Sequence, residues 1–133
     1  MWVKVNRCGE VCGRADKPEV MGLLADLYAE VAELFPGRYL HGGCDEVTWG
    51  ASEFSKKLLA EESPTDIWAR HVNGLNRMAR DHDKEFVIWA DMAAKQHPEC
   101  LDGLDRDIVL HDWIYKEHEP EQRPMTISVT RLV

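Results

Sequence analysis

The 133-residue chain has no long apolar run and no basic stretch, and each absence argues against a class of protein. No segment approaches the roughly 20 consecutive apolar residues that a membrane-spanning helix needs, and residues 1–7 lack the apolar core of a signal peptide. Lysine and arginine number 16 against 24 acidic residues, a formal net charge of −8. Because an acidic chain without clustered cations cannot hold a phosphate backbone well, we expect neither nucleic acid nor an anionic membrane surface as a partner.

Cysteine is sparse as well. Cys8, Cys12, Cys44 and Cys100 stand in a chain that is 44% hydrophobic and 30% charged, a balance typical of globular proteins. Disulfide frameworks are typical of small chains that cannot build an apolar core, so we expect these cysteines to be mostly reduced. One alternative stays open, since Cys8 and Cys12 together with His41 and Cys44 would supply four zinc-type ligands.

Apolar periodicity predicts two long helices, one after residue 16 and one after residue 63. Each has a proline in its first turn and apolar residues at steps of three and four, and Asp16 and Ser63 are the expected caps. A shorter helix is predicted at residues 52–61. The apolar face of the first long helix consists of Val20, Leu24, Leu27, Val31 and Leu34.

Three short runs rich in β-branched and aromatic residues predict strands at residues 38–41, 85–89 and 108–113. Strands that alternate with helices are typical of parallel βαβ units, so the predicted fold class is α/β. A full (β/α) barrel takes roughly 250 residues, so three strands form either a small open sheet or a part of a barrel. Residues 126–133 fit a strand or the start of a helix. A part of a barrel would leave two sheet edges unpaired, and we expect self-association there.

Two adjacent carboxylates, Asp45 and Glu46, follow the first predicted strand and the glycine pair Gly42 and Gly43. Neighbouring side chains of a strand point to opposite faces, so both acids reach one site only where the strand ends and the backbone turns. The carboxyl ends of parallel strands are where active sites form, and two carboxylates held together leave one ionised and the other able to donate a proton. The pair is therefore the candidate catalytic centre. The alternative is a turn cap beside a solvated surface acid.

The residues around this pair resemble a known signature. His41, Gly43, Asp45, Glu46 and Val47 directly after an aromatic strand look like the motif of family 20 glycoside hydrolases, the β-N-acetylhexosaminidases. Residues 87–92 and 109–113 are similar to the family's next two strands, each of which carries a tryptophan. The likeness covers residues 16–115 and implies that residues 1–133 are part of a (β/α)8 TIM barrel catalytic domain, with about three consecutive parallel strands. 

Two positions depart from the family pattern. Gly42 stands where a branched apolar residue is usual, and Cys44 stands where glycine is frequent. The family's other sugar contacts, an arginine from an earlier strand and a tyrosine and an aspartate from a later strand, have no counterpart in this chain. A barrel remnant that binds sugar without hydrolysing it is therefore a second alternative.

The resemblance implies hydrolysis of terminal β-linked N-acetylhexosamine residues by substrate-assisted retaining catalysis, with no cofactor and no metal. Glu46 would act as general acid and then as base, and Asp45 would orient the acetamido group of the substrate.

The same resemblance implies a pocket for an N-acetyl sugar. Trp89 and Trp113 would be its walls, because aromatic faces suit the C–H faces of a sugar ring. His41 and Asp91 would be further substrate contacts. For the tryptophans the alternative is packing inside buried strands, for His41 a core histidine, and for Asp91 a turn or cap.

Overall fold

The structure, a computed structural model, describes residues 17–47, 53–112 and 129–131. The elements in chain order are α1 (Pro18–Leu34), β1 (Tyr39–Gly43), α2 (Glu53–Glu61), α3 (Pro64–Arg80), β2 (Glu85–Trp89), a π-helix (Asp91–Gln96), a 3₁₀ helix (Pro98–Gly103), β3 (Val109–His111) and β4 (Val129–Arg131). No helix among the described residues is long and apolar enough to cross a lipid bilayer.

The sheet has four strands in the order β1-β2-β3-β4. β1, β2 and β3 are parallel, with His41 opposite Val87 and Trp89 opposite His111, so the three strands end at the same edge of the sheet. The prediction of an α/β fold with three consecutive parallel strands is confirmed. β4 is antiparallel to β3 and covers its outer edge. The sheet is open at both ends: among the described residues, the outer edge of β1 and the outer edge of β4 each lack a neighbouring strand, so two unpaired edges are present as expected.

The two faces of the sheet carry different kinds of side chain because residues alternate along a strand. The helix-covered face is apolar and at most 7% exposed, and it consists of Leu40, Phe86, Ile88, Ile108 and Leu110. The opposite face carries His41, Val87, Trp89, Val109 and His111. The core therefore lies between the sheet and the helices, and the rings of His41, Trp89 and His111 lie on the opposite face of the sheet.

The helix α3 supplies most of the helical side of the core. Its apolar residues Ile67, Val72 and Leu75 are buried, and Trp68, which is 3% exposed, packs in the core with them. Ser63 occupies the predicted N-cap position, but its hydroxyl pairs with the Thr65 hydroxyl at 2.6 Å and does not cap the helix.

Two asparagines join α3 to the loop before β3. The buried side chain of Asn76 donates to Asp105 Oδ2 at 3.1 Å and to Asp107 Oδ1 at 2.9 Å. Asn73 accepts the Asp105 N–H at 2.9 Å and donates to the Gly103 carbonyl at 2.8 Å. These four hydrogen bonds set the path by which the chain enters β3.

The helix α1 is less buried than its sequence pattern predicts. Lys17 stands at its N-cap without a capping hydrogen bond, which differs from the predicted cap Asp16, a residue outside the described part of the chain. Leu24 packs against the core, whereas Leu27 and Leu34 are 46% and 65% exposed. The reason is geometric: within the described residues α1 has a neighbouring helix, α3, on one side only.

The close contact between Gly42 and Phe86 holds β1 against β2. A Cβ atom at Gly42 would lie 2.4 Å from two atoms of the Phe86 ring and 3.0 Å from the Tyr28 hydroxyl. The Phe86 ring, which is 1% exposed, thus fills the space that a side chain at position 42 would need. The departure from the family pattern at this position therefore has a packing explanation.

We expect Gly42→Ala to lower the free energy of unfolding by about 1–3 kcal/mol, the usual cost of overpacking a filled core. Phe86→Leu should be destabilising alone but should offset part of this cost in the double variant, because it frees the space beside position 42. Urea unfolding of wild type, the two single variants and the double variant measures the coupling free energy between positions 42 and 86. Gly22→Ala is the control, since no atom lies within 4 Å of a Cβ built there; additive single effects at positions 42 and 86 would contradict the packing explanation.

Candidate active site

Three rings form a compact cluster at the carboxyl ends of β1, β2 and β3, which we call the ring cluster. The ring centroids of His41 and Trp89 are 4.5 Å apart, and those of Trp89 and His111 are also 4.5 Å apart, with planes inclined by 22°. The two histidine rings are 5.5 Å apart. All three side chains are half-buried and lie on the sheet face opposite the helices, so Trp89 is not part of the helix-facing core. Trp113, the second predicted wall, lies outside the described residues.

His111 was not singled out from the sequence. It stands two residues before Trp113, in a strand where the aromatic residue attracts attention first. A signal was nevertheless present, because equal spacing from the end of neighbouring parallel strands puts His111 beside Trp89. The observed register makes these two residues direct neighbours.

Asp45 and Glu46 lie in a loop that leaves β1 with an unusual backbone. The register of β1 is irregular between His41 and Gly43, and φ is 78° at Gly43, 67° at Cys44 and 51° at Glu46. A left-handed conformation costs a residue with a side chain about 1–2 kcal/mol, so this loop must be stabilised by its surroundings. Asp45 is half-buried and Glu46 is exposed. The two acids therefore leave the strand as the glycine pair predicts.

Two backbone hydrogen bonds fix this loop, which we call the acid loop (residues 43–46). The Gly43 N–H donates to Nδ1 of His41 at 3.1 Å, and the Glu46 N–H donates to Oδ2 of Asp91 at 3.1 Å. Because Nδ1 of His41 accepts, the proton of the neutral ring is on Nε2. The first bond is local, whereas the second joins residues that are 45 positions apart in the chain.

Asp91 is 4% exposed and begins the π-helix that follows β2. Its Oδ2 also accepts from Nε2 of Gln96 at 3.4 Å, a contact made possible by the five-residue spacing of a π-helix. Lys95, in the same π-helix, donates to Oδ1 of Asp112 at 2.7 Å and so joins this turn to the end of β3. No sequence pattern marks Gln96, Lys95 or Asp112 as part of the site, because their contacts depend on the tertiary arrangement.

The environment of His41 disfavours its charged form. Burial is the largest cause, the nearby His111 adds to it, and the carboxylate of Asp45 opposes both, so that the pKa of His41 is lowered to about 4. The ring is therefore neutral near pH 7. A neutral His41 keeps the hydrogen bond that Nδ1 accepts from the acid loop.

The zinc alternative gains no support from the described residues. Among residues 17–47, 53–112 and 129–131, no three His, Cys, Asp or Glu side chains converge on a point that could hold a metal ion. Cys8 and Cys12 lie outside these ranges, and the Cys44 thiol donates to the Gly42 carbonyl at 3.8 Å.

Comparison with known proteins relates this arrangement to one family. The sequence matches the model of the glycosyl hydrolase family 20 catalytic domain over residues 2–128. The β-hexosaminidase of Vibrio furnissii is 31% identical over 96 residues, which are 66% of this chain and 14% of that protein. The lacto-N-biosidase of Bifidobacterium bifidum is 26% identical over 114 residues, 79% of this chain and 10% of that protein.

A solved structure shows the same fold. The exo-β-N-acetylglucosaminidase of Vibrio harveyi, determined in complex with N-acetylglucosamine, superimposes with a TM-score of 0.57 at 21% identity. The likeness covers 73% of this chain and 15% of that one. The predicted fold class, a part of a (β/α)8 barrel, is confirmed. The chain spans between 10% and 15% of the length of these three proteins.

The lowered pKa of His41 predicts a pH effect on stability. In the unfolded chain a histidine titrates near pH 6.5, whereas folded His41 titrates at about 4, so the unfolded state takes up this proton first as the pH falls. The contribution of neutral His41 to stability is therefore present above about pH 6.5 and decreases toward pH 4. In urea titrations at several pH values, the unfolding free energy of His41→Gln should therefore decrease less between pH 6.5 and pH 4 than that of wild type. His82→Gln is the matched control, and an identical pH slope for wild type and His41→Gln would contradict the assignment.

Proposed function

The chain belongs to glycosyl hydrolase family 20, as its resemblance predicts, and on this premise we propose that it carries the catalytic acids of a β-N-acetylhexosaminidase. Residues 1–133 would form part of one catalytic barrel domain. The reaction would be the hydrolysis of terminal β-linked N-acetylhexosamine residues from oligosaccharides or glycoconjugates. The names of the matched relatives, a β-hexosaminidase and an enzyme bound to N-acetylglucosamine, support this substrate class.

The observation that carries the proposal is the position of the acid loop at the carboxyl end of β1. Asp45 and Glu46 leave the strand at the same edge of the sheet as the ring cluster of His41, Trp89 and His111. In (β/α) barrels the carboxyl ends of the strands form the active site. An exposed carboxylic acid and a half-buried aromatic ring at the same edge of the sheet are suited to acid-catalysed cleavage of a sugar.

In the proposed mechanism the substrate supplies the nucleophile. The acetamido oxygen attacks the anomeric carbon while Glu46 gives its proton to the departing glycosidic oxygen, so the C–O bond breaks as the oxazolinium ring forms. Asp45 accepts a hydrogen bond from the acetamido N–H and stabilises the positive charge of that ring. Glu46, now a carboxylate, then takes a proton from water, whose oxygen attacks the anomeric carbon and breaks its bond to the acetamido oxygen, so the acetamide is restored and the configuration is retained.

The Trp89 ring is the proposed wall of the sugar pocket. Its stacking against His111 and its contact with His41 hold the indole in one orientation without enclosing it, since the side chain stays half-buried. An indole face fixed in this way suits the C–H face of a sugar ring or the acetamido methyl group. Trp113 is the second proposed wall on the ground of the family resemblance.

The role of Glu46 can be tested in the full-length gene product. Glu46→Gln should lower kcat about 100- to 10,000-fold on an N-acetylglucosaminide with a poor leaving group, the usual contribution of a general acid. The loss of rate in the bond-breaking step should be much smaller with a nitrophenolate leaving group, which departs without a proton. Glu61→Gln, an exposed acid at the end of α2, is the matched control. Unchanged hydrolysis of the poor leaving group would remove Glu46 from the mechanism.

We also propose that the 133-residue chain alone self-associates and has little or no hexosaminidase activity. The outer edge of β1 is unpaired within the described residues, and α1 exposes Leu23, Leu27, Leu34 and the following Phe35. Open strand edges and exposed apolar surface both promote association.

Sedimentation of the purified chain measures this association. Leu27→Lys combined with Leu34→Lys should shift the chain toward the monomer, whereas Glu30→Lys on the same helix should not. A wild-type chain that is monodisperse, monomeric and active would contradict this proposal while leaving the roles of Asp45 and Glu46 intact.

A further inference from the structure

The acid loop requires support from outside its own segment. Gly43, Cys44 and Glu46 all have positive φ angles, and two of these residues carry side chains. The local hydrogen bonds reach only as far as Gly43 and Cys44, through His41 Nδ1 and the Gly42 carbonyl. The bond from the Glu46 N–H to Asp91 Oδ2 therefore acts on the one positive-φ residue of the loop that these two bonds do not involve.

Asp91 is well placed to give this support. Its carboxylate is 4% exposed, and it lies at the first position of the π-helix, directly after the strand that pairs with β1. The Gln96 amide donates to the same oxygen that accepts from Glu46, which limits rotation of the carboxylate. The other oxygen, Oδ1, is buried and has no hydrogen-bond partner among the described residues. Burying a carboxylate costs free energy unless it accepts hydrogen bonds, and the Glu46 N–H supplies one of them.

We propose that Asp91 is a positioning residue for the catalytic acid: it holds the Glu46 backbone in the left-handed conformation that directs the Glu46 side chain out of β1 toward the substrate. This differs from a substrate contact, because Asp91 acts through Glu46 and touches no substrate atom. The inference rests on the proposed role of Glu46 as general acid. A carboxylate oxygen is suited to this task, since it is a stronger acceptor for a backbone N–H than a neutral oxygen is.

Two substitutions separate positioning from packing. Asp91→Asn keeps the shape and one acceptor oxygen for the Glu46 N–H, whereas Asp91→Leu keeps a similar size and removes the acceptor. Asp102→Leu, at an exposed position of the 3₁₀ helix, is the matched control.

The first measurement is amide hydrogen exchange, which needs no activity and is made on the full-length gene product. Asp91→Leu should speed exchange at the Glu46 amide by about tenfold or more, as expected for loss of a hydrogen bond to a charged group. Asp91→Asn and Asp102→Leu should leave most of the protection in place. The β2 amides of Phe86, Val87 and Ile88 report on the fold and should be unchanged in all variants. Equal exchange at Glu46 in wild type and Asp91→Leu, or a parallel loss of protection in β2, would overturn the proposal.

The second measurement is kinetic and uses the full-length gene product. Asp91→Leu should lower kcat about 10- to 100-fold on a poor leaving group with little change in KM, because a displaced acid harms proton transfer more than binding. Asp91→Asn should recover most of this loss, and a leaving group that needs no proton should be affected least. A raised KM with unchanged kcat would make Asp91 a substrate contact and would refute the positioning role. If Glu46→Gln has no effect, the proposed function fails, and amide exchange still decides whether Asp91 holds the Glu46 backbone.

Discussion

The parallel pairing of β1 with β2 is the constraint on which the rest of the structure depends. It runs from Tyr39 opposite Glu85 to Gly43 opposite Ile88, with an irregularity after His41. The two strands approach closely because Gly42 leaves room for the Phe86 ring. This approach puts the end of β1 beside the end of β2, and so it brings the acid loop within hydrogen-bonding distance of Asp91. Without this register neither the ring cluster nor the contact of the acid loop with Asp91 would form.

The same pairing explains how a strained loop is tolerated at the site. Strain at functional residues persists only where the surrounding structure over-determines the backbone. Here the surroundings are His41 on the same strand and Asp91 in the π-helix after the next strand, which hold the two ends of the acid loop. Burial keeps the His41 ring neutral near pH 7 by lowering its pKa, so its Nδ1 stays an acceptor for the loop. His41 and Asp91 thus each hold one end of this short turn by accepting a backbone N–H.

Local patterns predicted the parts of the fold that depend on local physics. The strands at residues 85–89, the helix α3 and the turn after Gly42 follow from apolar runs, periodicity and glycine placement, and all three are present. What could not be read from the chain depends on tertiary neighbours. The exposure of Leu27 and Leu34 reflects which helices lie beside α1, and the direction of β4 reflects which edge of the sheet is open.

The candidate site shows the same division. The acid pair and Trp89 were identified because a short motif and an aromatic strand mark them in the sequence. The partners of Asp91 and the neighbour of Trp89 were not, since Glu46 and Asp91 are 45 residues apart and His111 meets Trp89 only through strand register. The sequence motif marks the side chains that are proposed to meet the substrate, whereas the contacts that hold the acid loop come from other elements.

The groups that form the candidate site come from three successive segments of the chain. The proposed acid is on the segment after β1, its backbone is held from the segment after β2, and the ring cluster includes a residue of β3. The π-helix that carries Asp91 is itself joined to the end of β3 by Lys95 and Asp112. No single βα unit therefore contains both the acid and the groups that orient it. Since each strand end supports the next, the three parallel strands are the smallest part of this fold in which the geometry of the acid loop is defined.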